Sequence, residues 1–280
     1  MTEAPFVNPC RTCGKCCTSY LVDVTGYDLW RIATSQRLRP ERFLRVYLQG
    51  KNAPRVLGCG LERDGELYAA ALDKKGRWAA TQPCVFLVQL PGNNSRCGIY
   101  AARPSTCRVY PMVQVDDLVT QREGTRCPEN SWPEQEQRRP AWRVALQRHL
   151  MDLELYADVV ERWNAHVAET RPGTVLTTHE YFSYVLNVYD EFARIETAFG
   201  EQRMAAVEAT WGIRPKPAAG ERTVHVLEGQ YPWLDYWVRA QEALARFYPD
   251  VGTRPKPIGG MRMAVLPAPR TDQERAAGAS

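Results

Sequence analysis

Residues 8–20 read NPCRTCGKCCTSY, with Cys10, Cys13, Cys16 and Cys17 inside eight positions. No other stretch limits the chain so tightly, because thiols at this density are either cross-linked as disulfides or gathered on a metal, and each outcome dictates a different local fold. The full set is Cys10, Cys13, Cys16, Cys17, Cys59, Cys84, Cys97, Cys107 and Cys127, nine in all and none in the second half. An odd number suits disulfide pairing poorly. The N-terminal residues MTEAPFVNPC carry no basic stretch followed by an apolar run, and no segment is apolar for long enough to cross a bilayer. The expected location is therefore cytoplasmic, where thiols stay reduced and clustered cysteines bind metal or do redox work.

Cys-x-x-Cys brings two sulfurs to one point because the intervening residues turn the backbone and leave its amides free to donate to sulfur. Gly14 eases that turn. Cys10, Cys13 and Cys16 form two overlapping units of this kind, the spacing of the first three ligands in the bacterial ferredoxin run; Cys17 departs from it by following directly. In an extended stretch neighbouring side chains point to opposite sides, so Cys16 and Cys17 read as ligands of two different sites, or as one ligand and one buried thiol.

Further along stand Pro83-Cys84, then CGIYAARPSTCRVYP with Cys97 and Cys107, then EGTRCPEN with Cys127. Together with the first cluster, this order of motifs, including Arg103-Pro104 and Cys107-Arg108, resembles the YkgJ-type CxxCxxCC cysteine-cluster family of zinc- or iron-chelating proteins. The match covers about residues 8 to 130. That resemblance implies cysteine-ligated metal, and the family includes flagellin lysine N-methylases, associated with an iron–sulfur cluster and S-adenosylmethionine. Cys59, in VLGCG, is the one cysteine the pattern does not require, which leaves Cys10, Cys13, Cys16, Cys17, Cys84, Cys97, Cys107 and Cys127 as candidate ligands. Eight thiolates divide into two four-cysteine sites, or one four-cysteine cluster and a smaller second site.

Soft thiolates with few histidines suit Zn²⁺ or an iron–sulfur cluster and disfavour a site of two histidines and a carboxylate. The four histidines, at 149, 166, 179 and 225, are scattered and form no His-x-x-x-His pair. Arg103 and Arg108 flank the Cys107 segment as candidate cofactor-binding residues: a guanidinium there either stabilises anionic sulfur, offers a fork to a substrate carboxylate, or packs the loop. Tyr100 joins them, and Tyr100 and Tyr110 are expected to shield a cluster from water. The chain has no Walker A loop, no Gly-x-Gly-x-x-Gly and no Cys-x-x-x-Cys-x-x-Cys.

The rest of the pattern predicts an α+β protein with short elements before a polar, proline-containing boundary at residues 130–142 and helices after it. The expected divisions are a cysteine-rich metal-binding domain at 1–135, a helical domain at 140–250, and a loop and tail at 251–280. SYLVDV reads as a strand, and Thr25 and Asp28 as the N-cap and N3 acid of a helix beginning near Gly26. RPERFLRVYLQG reads as a helix, and GELYAAALDKKGRWAAT as two strands joined at Lys74, Lys75 and Gly76. Helical periodicity places Leu146, Leu150, Leu153, Ala157, Val160 and Val167 on one face of a long helix. Thr177 and Glu180 announce another, ending near Gly200. EQRMAAVEATWG and YPWLDYWVRAQEALARFYP read as two more.

Three functions fit these features. One is an iron–sulfur protein, carrying a 4Fe–4S cluster with redox or S-adenosylmethionine-linked chemistry. Another is a structural zinc protein whose helices mediate protein contacts, and the third a zinc- or iron-handling protein. The helical half is expected to meet a protein or small-molecule partner. A net charge of +4, with both signs interspersed, argues against nucleic acid.

Overall fold

The computed structural model describes residue 10, residues 13–49 and 57–133 except 63, 77, 92–93, 116–117 and 129–130, then residues 140–211, 240 and 242–244. Within these the chain mixes short helices and strands. Of the helix expected over residues 231–249, only 240 and 242–244 fall among them, and these are helical. The expected loop and tail at 251–280 lie outside the described residues.

Helix α1 spans Gly26–Gln36 and begins as its capping residues dictate: Asp28 N donates to Thr25 Oγ1 at 3.2 Å, and Thr25 N donates to the Asp28 carboxylate at 3.3 Å. It stops where Arg37 turns left-handed, at φ 53°. Gly26 has no substitute here, because a Cβ would collide with the Tyr189 and Tyr156 rings.

RPERFLRVYLQG departs from the helix its apolar residues predict. It makes a 3-10 turn at Pro40–Arg42 and then strand β1, Leu44–Leu48. Leu44, Val46 and Leu48 alternate with Arg45 and Tyr47, and that period-two pattern prevails once a partner strand is available. The partner is β2, Tyr68–Leu72, paired antiparallel from Leu44↔Leu72 to Leu48↔Tyr68. β2 bonds β1 along one edge and residues 22–24 along the other, with Val24 N donating to Ala70 O and Leu72 N to Val22 O, so it forms no hairpin with the residues after Gly76; Lys74 makes a single bridge to Cys84. SYLVDV, expected as a strand, likewise contributes one bridge, Asp23↔Ala71.

Strands β3 (Leu87–Leu90) and β4 (Asn94–Cys97) form a second two-stranded sheet. Helix α2, Ser105–Val109, follows, and β5 (Met112–Val115) and β6 (Leu118–Gln121) form a third. Two-stranded sheets are marginal in water by themselves, so each must be held from outside.

Helices α3 (Pro140–Glu169) and α4 (Thr178–Trp211) supply much of that support. Leu146, Ala157, Val160 and Val167 are buried as their spacing predicts, but Leu150 is 45% exposed. Met151, Leu155, Val159 and Trp163, four residues apart, form the inner seam instead. Glu180 N donates to Thr177 Oγ1 at 3.3 Å and Thr177 N to the Glu180 carboxylate at 2.6 Å, the expected cap. α4 passes through Gly200 rather than ending there, since one glycine costs a helix only about 1 kcal/mol against alanine.

Leu29, Ile32, Phe43, Leu72, Leu87 and Ile99 share one core cluster with Leu155, Trp163, Phe182, Val185 and Phe192, so the cysteine-rich segments and the long helices bury apolar surface together. At their junction lies Asp28, fully buried. Its carboxylate accepts from Ser105 N at 2.7 Å, Ser105 Oγ at 3.1 Å and Arg31 Nη2 at 3.2 Å. His149 Nδ1 is 2.9 Å from the same Ser105 hydroxyl. One carboxylate thus joins α1 and α2, and Ser105 joins both to α3.

Thr25→Ala, which removes only the cap, is expected to cost about 1 kcal/mol of stability. Asp28→Ala also removes the acceptor of the half-buried Arg31 guanidinium and of the buried Ser105 N–H, and is expected to cost more, roughly 3 kcal/mol. Urea unfolding of the two variants checks this; equal losses would mean that Asp28 acts only through the cap.

Candidate metal centre

Gly14, at φ 73°, reverses the chain just before the adjacent cysteines. Thr18 N and Oγ1 both donate to Gly14 O, at 3.2 and 3.3 Å, and Ser19 Oγ donates to Lys15 O at 2.8 Å. The result is a 3-10 turn at Cys16–Thr18. This turn corrects the expectation that Cys16 and Cys17 face opposite ways, which assumed extended backbone. Their thiols meet and hydrogen-bond each other.

Cys17 O accepts Cys84 N at 2.9 Å, which ties the first cluster to Pro83-Cys84. Cys107 sits in α2, the helix anchored through Ser105 to Asp28, and Cys97 ends β4. Cys16, Cys17, Cys84 and Cys107 lie within electrostatic reach of one another. Cys127 borders this group through Cys16 and Cys97 through Cys84 and Cys107, while Cys13 lies within reach of Cys127 and Cys10 within reach of both Cys127 and Cys97. Cys127 also packs against the minor apolar cluster of Val109, Met112, Trp132 and Trp142. All nine cysteines are free thiols.

Cys59 stands apart from the others. It is 1% exposed, pairs with Tyr68 in a β-bridge, and donates its thiol to Tyr68 O at 3.3 Å. Burial pushes it up to about 12. Cys16 differs: the hydrogen bond from Cys17 outweighs burial and draws it down to about 7, while the same bond pushes Cys17 up. Burial raises Cys84, Cys97, Cys127 and, most strongly, Cys107.

Two cations are buried beside these sulfurs. Arg103 is 7% exposed, its guanidinium lies 4.0 Å from the centre of the Tyr100 ring, and its Nε has no hydrogen-bond partner. It lies within electrostatic reach of Cys16, Cys97 and Cys107. Lys74 is 4% exposed, and its Nζ donates to Tyr20 O at 2.6 Å, Cys17 O at 3.3 Å and Ala80 O at 3.4 Å. Sequence reading missed Lys74, because a lysine in DKKG looks like an exposed turn residue. Arg108 turns back to donate to Ala101 O, and burial lowers it to about 10. Tyr110 OH accepts Arg126 N at 2.8 Å, next to Cys127, and its ring lies 5.8 Å from that of Tyr20.

Among the described residues, no three His, Cys, Asp or Glu side chains stand close enough together to hold a metal ion. The donor chemistry nevertheless fits a thiophilic metal: these sulfurs come from four separate segments, and an unpartnered buried guanidinium Nε stands next to them. His149 and His179 are engaged elsewhere, with Ser105 and Glu41. A groove of ≈410 Å³ between α1, residues 38–41 and α4, bordered by Arg37, Glu41 and His179, contains no cysteine.

Residues 9–130 match the CxxCxxCC family, a "Putative zinc- or iron-chelating domain". No curated protein and no solved structure matches the chain. The CxxCxxCC match takes in all nine cysteines, Lys74 and Arg103, and stops before α3. Among the described residues, no helix is long and apolar enough to cross a membrane.

Cys59→Ser is expected to leave the metal content of the purified protein unchanged, as measured by elemental analysis; loss of half the metal would move Cys59 into the ligand set. In metal-free protein, iodoacetamide at pH 8 is expected to modify Cys16 and to reach Cys59 only after denaturation, which peptide mass spectrometry reads directly.

Proposed function

We propose that this chain is a cysteine-ligated metal protein whose centre is an iron–sulfur cluster, its ligands drawn from Cys10, Cys13, Cys16, Cys17, Cys84, Cys97, Cys107 and Cys127. The observation that supports the reading is that the thiols of the 3-10 turn, of two loops and of α2 lie within electrostatic reach of Cys16. An all-sulfur donor set is the one that iron–sulfur clusters use. When bound, a cluster of this kind supplies one-electron redox chemistry, and S-adenosylmethionine-linked chemistry is the reaction class that the family resemblance adds. Arg103, stacked on Tyr100, places a fixed positive charge beside the sulfurs, and Arg108 fastens the segment between them to Ala101 O.

A second reading is structural zinc, favoured by the brevity of the elements that carry the thiols. The turn at Cys16–Thr18 has three residues, α2 five, and β3 and β4 four each. Such pieces gain much of their order from a cross-linking metal. In this reading the long helices serve as a protein-contact surface.

Purification without oxygen, followed by assay of iron, zinc and acid-labile sulfide, separates the two. Brown protein with iron and sulfide in similar amounts is the expected result. Colourless protein with stoichiometric zinc and no sulfide would establish the second reading in its place.

A further inference from the structure

The groove between α1 and α4 holds no cysteine, and its ≈410 Å³ falls within the range of small-ligand sites. The two helices run past it in opposite directions: Trp30 meets Asp190, while Glu41, beyond the end of α1, meets His179 at the start of α4. Ala33, Phe182 and Leu186 give it an apolar lining. Leu38, from the turn after α1, adds to that lining although it is 38% exposed.

Arg37, Arg39, Glu41, His179 and Asp190 are the titratable side chains on the groove. Three of them answer one another, because the Glu41 carboxylate stands 2.8 Å from His179 Nδ1 and 3.7 Å from Arg39 Nε. The other two do not. The Arg37 guanidinium has no ion pair and no hydrogen bond among the described residues. Asp190 accepts one hydrogen bond, at 2.7 Å from the neutral indole of Trp30, and has no cationic partner there.

These two open charges flank the apolar lining. Trp30 and Arg37 are two turns apart on α1, so Arg37 and the Asp190 that Trp30 holds are separated by about 10 Å along the helix axis. At that distance water and salt screen them from each other. Arg37 also occupies the left-handed position that ends α1, at φ 53°, where glycine is usual because it has no Cβ to strain. Here that position carries the open cation.

We propose that the groove is a binding site for a small zwitterion with an ammonium and a carboxylate at opposite ends of an apolar stem. The ammonium pairs with Asp190 beside Trp30, the stem covers Ala33, Phe182 and Leu186, and the carboxylate meets the planar fork of Arg37. An α-amino acid is the wrong shape, since both its charges sit on one carbon; an ω-amino acid separates them by its chain. A ligand with one charge leaves the other end of the groove unanswered. The site stands apart from the metal centre, because neither a cysteine nor Arg103 lines it.

The test uses the full chain and ε-aminocaproate, with hexanoate and hexylamine as its singly charged halves and glycine as the short zwitterion. Binding is read from the indole N–H signal of Trp30 in heteronuclear NMR spectra, identified with Trp30→Phe. ε-Aminocaproate is expected to bind at least about tenfold more tightly than any of the three. Arg37→Gln is expected to weaken ε-aminocaproate and hexanoate about tenfold and to leave hexylamine unchanged. Asp190→Asn, which keeps an oxygen for Trp30, is expected to weaken ε-aminocaproate and hexylamine about tenfold and to leave hexanoate unchanged. Both residues are exposed, so neither variant disturbs the core.

No binding of ε-aminocaproate to the parent chain overturns the proposal, as does binding no tighter than that of either half. Glycine binding as tightly as ε-aminocaproate overturns the spacing on which the proposal rests. Affinity for ε-aminocaproate unchanged in either variant overturns it as well, since both ends are required. Metal content, read on the same samples, is expected to be equal in the parent and both variants whichever way the ligand result falls.

Discussion

The carboxylate of Asp28 is a buried anchor that holds α1 to α2 and, through the Ser105–His149 contact, both to α3. It is wholly buried, yet each of its contacts is used: it closes the N-terminal cap of α1, pairs with Arg31, and accepts both the N–H and the hydroxyl of Ser105. A buried carboxylate is tolerable only under such saturation, and removing any one donor would leave charge in a low-dielectric surround. Ser105 opens the five-residue α2, which is far too short to be stable alone and carries Cys107. The direction of α2, and with it the position of one sulfur, is therefore set from α1 and α3 rather than by α2 itself.

The surrounding architecture follows the same logic of small pieces held from outside. Among the described residues, three two-stranded sheets share no strand with one another, and each puts part of its apolar surface into a core cluster, through Leu44 and Leu72, through Leu87 and through Met112, while Leu48, Val88, Val115 and Leu118 stay exposed. The long helices α3 and α4 bring the tyrosine and tryptophan surface that the small elements lack. Trp163 Nε1 reaches Gly60 O at 2.7 Å, and Asn164 bonds Gly60 N and Gly58 O at 2.6 and 2.8 Å, which fastens the Cys59 loop to α3 by its backbone. Cys59 is thereby enclosed in the helical core, away from the other eight sulfurs.

Both helix caps were legible because they are local: Thr25 with Asp28, and Thr177 with Glu180, need only three residues of spacing to be recognised. The cysteine spacing was legible for the same reason, and it pointed to the region of residues 9–130. What escaped was decided by partners remote in sequence. Leu44–Leu48 carries enough apolar residues for a helix, and becomes a strand because Tyr68–Leu72 lies beside it. Asp28 reads as a cap and nothing more until Ser105 arrives from 77 residues away. Lys74 is the clearest case, since no local pattern distinguishes a buried turn lysine from an exposed one. Cys16 and Cys17 were misjudged through geometry instead, because alternation applies to extended backbone and the chain here turns after Gly14.

The distribution of charge explains why the sulfurs are not drawn together by the fold alone. Most of them are held protonated by burial, and neutral thiols attract one another weakly, so the polypeptide has little energy to gain by closing them into a tighter group. On the reading proposed above, binding a metal removes those protons and converts weak contacts into ligand bonds, so that the folding of the cysteine-rich segments and the binding of the metal share one free energy. The Asp28–Ser105 contact then reaches into α1 and α3, because Cys107 lies in the short helix that Asp28 holds through Ser105.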